Sequence, residues 1–570
     1  MSPRDGFDDL PESTEVLIVG GGPVGLGASL LLTQLGIDHI IIEHRAEAQT
    51  APAAHVINAR TFEILRSVGV GGQEIEAACQ PVEEGAWVRW VTSLTGTELG
   101  KVPFERHDQM EALDAITPTP LRNLSQHRLE PILRSKVEGL ITGVEWLSAT
   151  QDETSVVSTL QRRGSETTRS ITSKFLIAAD GAGSAVRRWS GVGMEGPDVL
   201  QAFVMIHAEV DLSGLLGDRP ATLYWTLDPS HRGCFVAHDL TRTWVFMYEW
   251  DPEAEDISTF TDERCRDLFR SAAGTDDIDP VITTVRPWRM TSQIAEHYRV
   301  GRVFLTGDAA HRFPPSGGLG LNTGVADVHN LAWKLGAVLR GWAGEALLNS
   351  YEKERRPVAV TNANKSLENA MTMFDVYLAA GLAETEEESI ANFERAVNSP
   401  EGRRAIATAA EAQAEHFDML GLQLGFRYPP DGAVILDDGV VEPAPGNPVR
   451  EYRPSSQPGA RMPHVWLERD GQKISSLDLV EPDRMLVVTG SASWGQGSKR
   501  LEDDGARLTT VEIGVQVEDP SGSWASSMGC DPKGVLVVRP DGHVAFRADG
   551  ESEHPEAVLR DALATMGVGK

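Results

Sequence analysis

Three times along the chain an apolar run ends in a glycine-rich or acidic turn and gives way to a helical pattern. The first is TEVLIVGGGPVGLGASLLLTQLGIDHIIIEH. Val16 to Val19 predict a buried strand, Gly20-Gly21-Gly22 a turn, Pro23 to Leu35 a helix that stops near Gly36, and a second apolar strand closes on Glu43. The second is KFLIAADGAGSAVRRWSG, where a strand over 175–178 ends in Asp180-Gly181, with Ser184 and Arg187 opening the next element. The third is GRVFLTGDAAHRFPPSGGLGLNTGVADVHNLAWKL. Here a strand through Val303 and Leu305 ends at Asp308, and Pro314 and Pro315 stiffen the loop by fixing φ. Asn322 or Thr323 is expected to cap a helix whose Val325, Val328, Leu331, Leu335 and Val338 share one face.

Between and beyond these turns the period changes. QAFVMIHAEVDL, ATLYWTLD, GCFVAHDL and TWVFMYEW, within 195–300, predict strands. Residues 345–425 read as helices, with LAETEEESIANFERA as a solvated acidic face. RYPPDGAVILDDG marks a linker. RMLVVTG, TTVEIGV and GVLVVRPDGHVAFRADG then supply short β runs.

At 570 residues the chain is too long for one core, so two to four domains are expected, with a functional site at a junction. The net charge of −31 repels phosphate backbones and anionic membranes, which argues against nucleic acid and membrane partners. With no signal-like N-terminus and no long apolar run, the expectation is a cytoplasmic protein. The cysteines Cys79, Cys234, Cys265 and Cys530 form no CxxC pair, which argues against a disulfide framework, a metal site or dithiol chemistry.

Gly20, Gly22 and Gly25 form G-x-G-x-x-G in a strand-turn-helix-strand context. Such a turn lets a pyrophosphate approach the backbone N–H groups of a helix start. Glu43, 23 residues beyond Gly20, stands near the spacing of about 20 expected of the acid that binds ribose hydroxyls. The turn alone does not separate NAD from FAD. A second turn with a carboxylate for a polyol at Asp308 and a positive helix end suits a long dinucleotide, and FAD has that length. The unpaired N–H groups of residues 320–322 would stabilise negative charge on its reduced ring.

Taken together with AAHVINARTFEILRSVGV, QHRLEPIL and GLGLNTGVADVHNLAWKL, the three motifs resemble the single-component FAD-dependent aromatic hydroxylases. This is the para-hydroxybenzoate hydroxylase superfamily, in its phenol hydroxylase, dichlorophenol hydroxylase and hydroxybiphenyl monooxygenase branch. The resemblance implies an α/β fold: a Rossmann-type FAD-binding domain (1–194 and, with a helical segment, 301–430), an inserted β-sheet substrate domain (195–300) and a C-terminal thioredoxin-like domain (431–570). Lacking CxxC, that last domain is expected to pack or dimerise, so a homodimer is an open expectation.

By the same resemblance Gly20, Gly22, Gly25 and Glu43 bind the FAD diphosphate side. Asp180 and Gly181 serve FAD and transient NAD(P)H, and Gly307 and Asp308 bind the ribityl chain. Pro315, Gly320, Leu321 and Asn322 line the flavin ring, Pro315 beside the reacting centre, and Gln126 reaches the flavin side. The family's Pro-Arg-Ala-His is here Pro52-Ala53-Ala54-His55, so the arginine that would face the diphosphate is missing, with Arg45 or Arg60 as substitutes. His55 has two readings, a catalytic base for a phenolic proton or a packed residue of the first loop. His311 reads as structural, and Tyr224, Trp225 and Tyr248 as candidates for an aromatic pocket or as plain core. The implied reaction is NAD(P)H- and O2-dependent hydroxylation of a phenol-like ring through a flavin hydroperoxide. Baeyer–Villiger or epoxidising flavoproteins and a non-hydroxylating FAD-bound protein are the rival readings.

Overall fold

The apolar strand Ser13–Val19 lies inside a parallel sheet, where burial on both faces suits its unbroken apolar run. In the computed structural model, which describes residues 6–50, 53–106, 109–430, 434–440 and 442–568, its neighbours are His39–Glu43 and Thr168–Ala178. Val303–Leu305 adds to Thr168–Ala178 and Leu140–Thr142 adds to His39–Glu43, all parallel. The helix Pro23–Gln34 crosses from Ser13–Val19 to His39–Glu43, and the buried helix Leu319–Leu339 packs against it.

A second sheet has the order Val281–Met290, Gln201–Glu209, Thr243–Trp250, Gly233–Asp239, Leu223–Thr226, Trp87–Val91, Glu98–Pro103. The domain expected from 195–300 alone thus takes two strands from 87–103. Leu223 pairs with Val88 in parallel, a contact between residues too far apart in sequence to leave a local signal. One face of this sheet packs on the helix Asp262–Ala273, and the other on Ser350–Ala379 and Pro400–Glu411. The acidic helix Glu386–Asn398 buries only Ser389 and Phe393.

The C-terminal sheet has the order Leu508–Glu512, Met485–Thr489, Val535–Val538, Val544–Ala548, the first pair parallel across the helix Ala492–Asp503 and the rest antiparallel. That is a thioredoxin-like order. Cys530 is free and half-buried there, and burial pushes its thiol up to about 11.

Buried ion pairs fasten this domain to the first. Arg461 donates through Nε to Glu63 on the helix Ala59–Ser67 at 2.9 Å, and Arg60 donates to the Asp541 carbonyl at 2.6 Å. Arg539 reaches Glu354 at 2.7 Å, and Lys334 of Leu319–Leu339 reaches the same carboxylate at 2.7 Å. Burial alone would raise the carboxyls of Glu63 and Glu354, but the cations beside them hold both down to about 2.

Removing one partner strands the other charges. Glu354→Ala is expected to lower stability to denaturant by about 3–5 kcal/mol. Because a depressed carboxyl contributes stability above its unfolded pKa, the loss in the wild type begins as pH falls below about 4.5 and continues toward 2. Equal acid and denaturant curves for the two proteins would show that the clamp contributes nothing.

Candidate functional site

The parallel register brings the three turns to one edge. Gly20 N–H bonds to the Ile42 carbonyl at 2.8 Å, Ala179 N–H to Val19 at 2.8 Å and Thr306 N–H to Ala178 at 2.9 Å. Each motif therefore starts where its strand ends, at the crevice outside the carboxyl ends of the strands. Gly20 has φ +111°, and a Cβ there would sit 2.2 Å from the Ala179 carbonyl oxygen; a Cβ on Gly25 would sit 1.9 Å from the Gly20 carbonyl oxygen. Those two glycines allow close packing of turn, strand and helix. A Cβ on Gly22 would meet nothing within 4 Å, so this face of the turn is open for a ligand. Glu43 is 7% exposed and accepts from the N–H groups of Gly21 (2.7 Å) and Arg45 (2.8 Å), which fixes its carboxylate at the end of the second strand.

Asp180 shapes its own turn. Its carboxylate accepts from Ser184 Oγ at 2.5 Å and Val186 N–H at 3.1 Å, so it holds the start of Ala185–Trp189, and Gly181 makes the turn at φ +76°. Asp308 follows Gly307, has no hydrogen-bond partner among the described residues, and is exposed. The protein around it nonetheless pushes its carboxyl up. An unpartnered carboxylate beside an open glycine turn is suited to hydroxyl donors.

The third turn caps its helix earlier than Asn322 or Thr323. Gly318, in the left-handed region at φ +63°, is the N-cap, and the helix begins at Leu319. Asn322 is spent elsewhere: its Oδ1 accepts from Asn58 N–H at 3.0 Å and its Nδ2 donates to the Val56 and Gly318 carbonyls. The first-turn N–H groups without intrahelical acceptors are thus those of Leu319, Gly320 and Leu321 rather than 320–322. A Cβ on Gly320 would meet nothing within 4 Å, whereas Leu321 packs on the core. Gln126 opens the helix Gln126–Lys136 and donates to Glu130 at 2.6 Å. His311 is fully buried and bonded to Asp327, which also pairs with Arg355.

Of the proposed substitutes for the missing arginine, Arg60 is locked in the C-terminal clamp. Arg45 stays exposed, with Nη1 on Gln49 at 2.6 Å. Pro52 lies outside the described residues.

Beside the third turn lies a cavity that opens to solvent. Pro315 to Gly318 form one wall; Leu223, Trp225, Cys234, Val236 and Met247 of the second sheet form another. His55, Glu105 and His416 bring polar atoms to it. Tyr224 and Tyr248 are not there. As Trp225's chain neighbour, Tyr224 points through the opposite face of the sheet, is 1% exposed and donates to the Arg219 carbonyl, and Tyr248 packs in that same core.

His55 Nδ1 lies 2.9 Å from Asn123 Oδ1. Asn123 Nδ2 donates to the Ala237 carbonyl at 3.2 Å, which orients the amide, so Nδ1 of His55 carries the proton and Nε2 is a bare lone pair with no partner among the described residues. Burial, partly offset by Asn123, pulls this imidazole down to about 4. His238 meets its ring edge-on at 5.3 Å, and His127 meets His238 at 6.0 Å. Glu105, His416, His238 and His127 left no sequence signal, because their positions along the chain are brought together only in the fold.

Residues 13–366 match the FAD binding domain family, and residues 455–567 match the family described as aromatic-ring hydroxylase, C-terminal. The chain belongs to the FAD-dependent aromatic hydroxylases. It is 33% identical to a putative polyketide hydroxylase of Streptomyces halstedii over 99% of this chain and 98% of that one. It is 32% identical to 2,4-dichlorophenol 6-monooxygenase of Delftia acidovorans over 97% and 98%. The flavin-dependent monooxygenase PieE, solved with FAD and substrate, superposes with a TM-score of 0.90 at 32% identity, covering 97% of this chain and 99% of that one. The chain is accordingly a flavoprotein monooxygenase, and the residues fit FAD: open faces at Gly22 and Gly320, the unpartnered Asp308 and two helix N-termini face one crevice. Among the described residues no helix of this hydroxylase is long and apolar enough to cross a membrane.

Asp308→Ala is expected to yield folded protein that loses its yellow colour on gel filtration. Full flavin occupancy after that step would remove Asp308 from the cofactor site.

Proposed function

We propose that this hydroxylase inserts one oxygen atom from O2 into an uncharged, phenol-like aromatic ring at the expense of NAD(P)H. The observation that carries this reading is the cavity against Pro315–Gly318. It is lined mostly by apolar side chains, and among the described residues no Lys or Arg lines it, so nothing there neutralises a substrate carboxylate. The relatives named for polyketides and dichlorophenol support the same class.

FAD, reduced by the nicotinamide, would supply the activated oxygen. The chain's own work is binding, orientation and proton control. Gly20, Gly22, Gly25 and Glu43 would hold the diphosphate side, Asp308 the polyol, and the helix start at Leu319–Leu321 the pyrimidine edge, with Asp180 and Gly181 shaping the adjacent turn. His55, with Nε2 free to accept, takes a hydrogen bond from the phenolic hydroxyl, which orients the ring and draws electron density toward it at the moment of attack. Its neutral state at neutral pH follows from burial. The apolar side chains of the wall offer water few hydrogen bonds, which would limit loss of the reactive oxygen as peroxide once substrate fills the cavity.

NAD(P)H oxidation is expected to be slow alone and to rise many-fold with a suitable phenol, with one atom from 18O2 appearing in a ring hydroxyl. Label in a lactone or epoxide, or flavin that stays oxidised with NAD(P)H and every phenol tried, would overturn the reading. His55→Ala is expected to keep its flavin while forming several-fold less hydroxylated product per NAD(P)H, most clearly below the substrate's own pKa. An unchanged ratio across pH would make His55 a packing residue.

A further inference from the structure

Two polar residues that the proposed reaction does not use line the cavity. Glu105 is 3% exposed; its Oε2 accepts from Gln423 Nε2 at 2.7 Å, but Oε1 is buried with no hydrogen-bond partner among the described residues. His416 is 4% exposed, stacks on Phe417 at 4.1 Å, and its Nδ1 is also unpartnered among the described residues. Nearly all buried polar atoms in folded proteins are paired, so unpartnered atoms on two residues that line one cavity need a reason.

The backbone adds an independent one. Glu105 and Arg106 sit in the left-handed region at φ +38° and +55°, a conformation that residues with side chains adopt at a cost. The conformation is held from outside. Glu105 N–H donates to the Phe417 carbonyl at 2.7 Å, and Arg106 Nε pairs with Asp418 at 3.0 Å. The chain thus fastens residues 105–106 to 417–418, and the result is an acidic residue held in the cavity wall. Strain kept at a cavity wall with its polar atom unspent marks a recognition point.

We propose that Glu105, with His416 beside it, is a specificity-determining site that donates a hydrogen bond to a carbonyl oxygen of an uncharged, ring-fused aromatic substrate. This rests on the cavity being the substrate site of the proposed hydroxylase. Glu105 can donate because burial, reinforced by Asp418 and opposed by Gln423, Arg106 and the Met419 N–H, pushes its carboxyl up to about 8. Burial likewise pulls His416, repelled also by Lys365, down to about 3, so the wall carries no charge near neutral pH. A ketone or quinone oxygen satisfies Glu105; a hydrocarbon edge leaves it orphaned, and that difference discriminates between substrates.

The test compares 2-hydroxyanthraquinone with 2-hydroxyanthracene, which share the ring frame and phenol but differ in the carbonyls. Binding to the FAD-loaded enzyme is followed by the flavin absorbance change. The wild type is expected to prefer the quinone by about tenfold. Glu105→Leu should abolish the preference with little change for 2-hydroxyanthracene, and Glu105→Gln, which keeps a donor, should retain most of it. The wild-type preference should fall as pH rises past about 8, while that of Glu105→Gln should not. Equal affinity of the wild type for the two ligands, no binding of either, or a preference that survives in Glu105→Leu overturns the proposal. A preference lost in Glu105→Leu without hydroxylation of any phenol would uphold this site and remove the proposed phenol-hydroxylating reading. Hydroxylation without preference would do the reverse.

Discussion

The register of four parallel strands is the constraint on which the rest depends. Val19 stands opposite Ala178 and Ile42, and Ala178 opposite Leu305, so four strand ends fall on one line. A slip of one residue would turn every buried side chain of a strand to the other face and move its turn out of the crevice. The bonds from Gly20 N–H, Ala179 N–H and Thr306 N–H lock the register at the place where each motif begins. A crevice drawn from residues nearly 300 positions apart is thus a consequence of backbone pairing, with Gly20 and Gly25 allowing the close packing and Gly22 leaving its surface open.

The second requirement is that the cavity wall stay where the flavin loop needs it. The helix Leu319–Leu339 carries that loop at its start and Lys334 farther along, and Lys334 belongs to the buried cluster with Glu354 and Arg539. Glu63, on the helix that follows His55, is held by Arg461. The C-terminal domain, with no dithiol of its own, therefore grips both elements that border the cavity. Buried pairs of this kind add little net stability over apolar packing, but they fix a unique arrangement because every misalignment strands a charge. For this domain that positional role is a sufficient physical reason to be present.

What the sequence shows follows the range of the interaction. The three turns could be read because strand, turn and helix lie within about 30 residues of one another and each carries its own period. The start of the third helix was misplaced because Asn322 has the composition of a cap, whereas Gly318 makes the cap through backbone conformation and Asn322 ties the helix to Val56 and Asn58. Alternation says that Tyr224 and Trp225 face opposite ways, but not which face meets the cavity. That choice depends on Trp87–Val91 joining the sheet and on the helices beyond residue 350 covering one side. Asp180 illustrates a third limit, since a carboxylate at a strand end serves a ligand or its own turn with the same sequence signature.

Electrostatics link these levels. The chain carries 83 acidic and 52 basic residues, yet the cavity wall has no Lys or Arg among the described residues, and its ionisable groups His55, Glu105 and His416 are all driven toward their neutral forms by burial. Neutral groups in an apolar enclosure interact through hydrogen-bond direction, not net charge, and each bond there is stronger than in water while each unmade bond costs more. The same burial favours an imidazole at His55 that keeps a lone pair and a carboxyl at Glu105 that keeps its proton. One physical cause, the desolvation of side chains packed into the cavity wall, therefore acts on a base and on an acid in opposite directions and leaves both uncharged. A wall of that kind suits an uncharged molecule better than an ion.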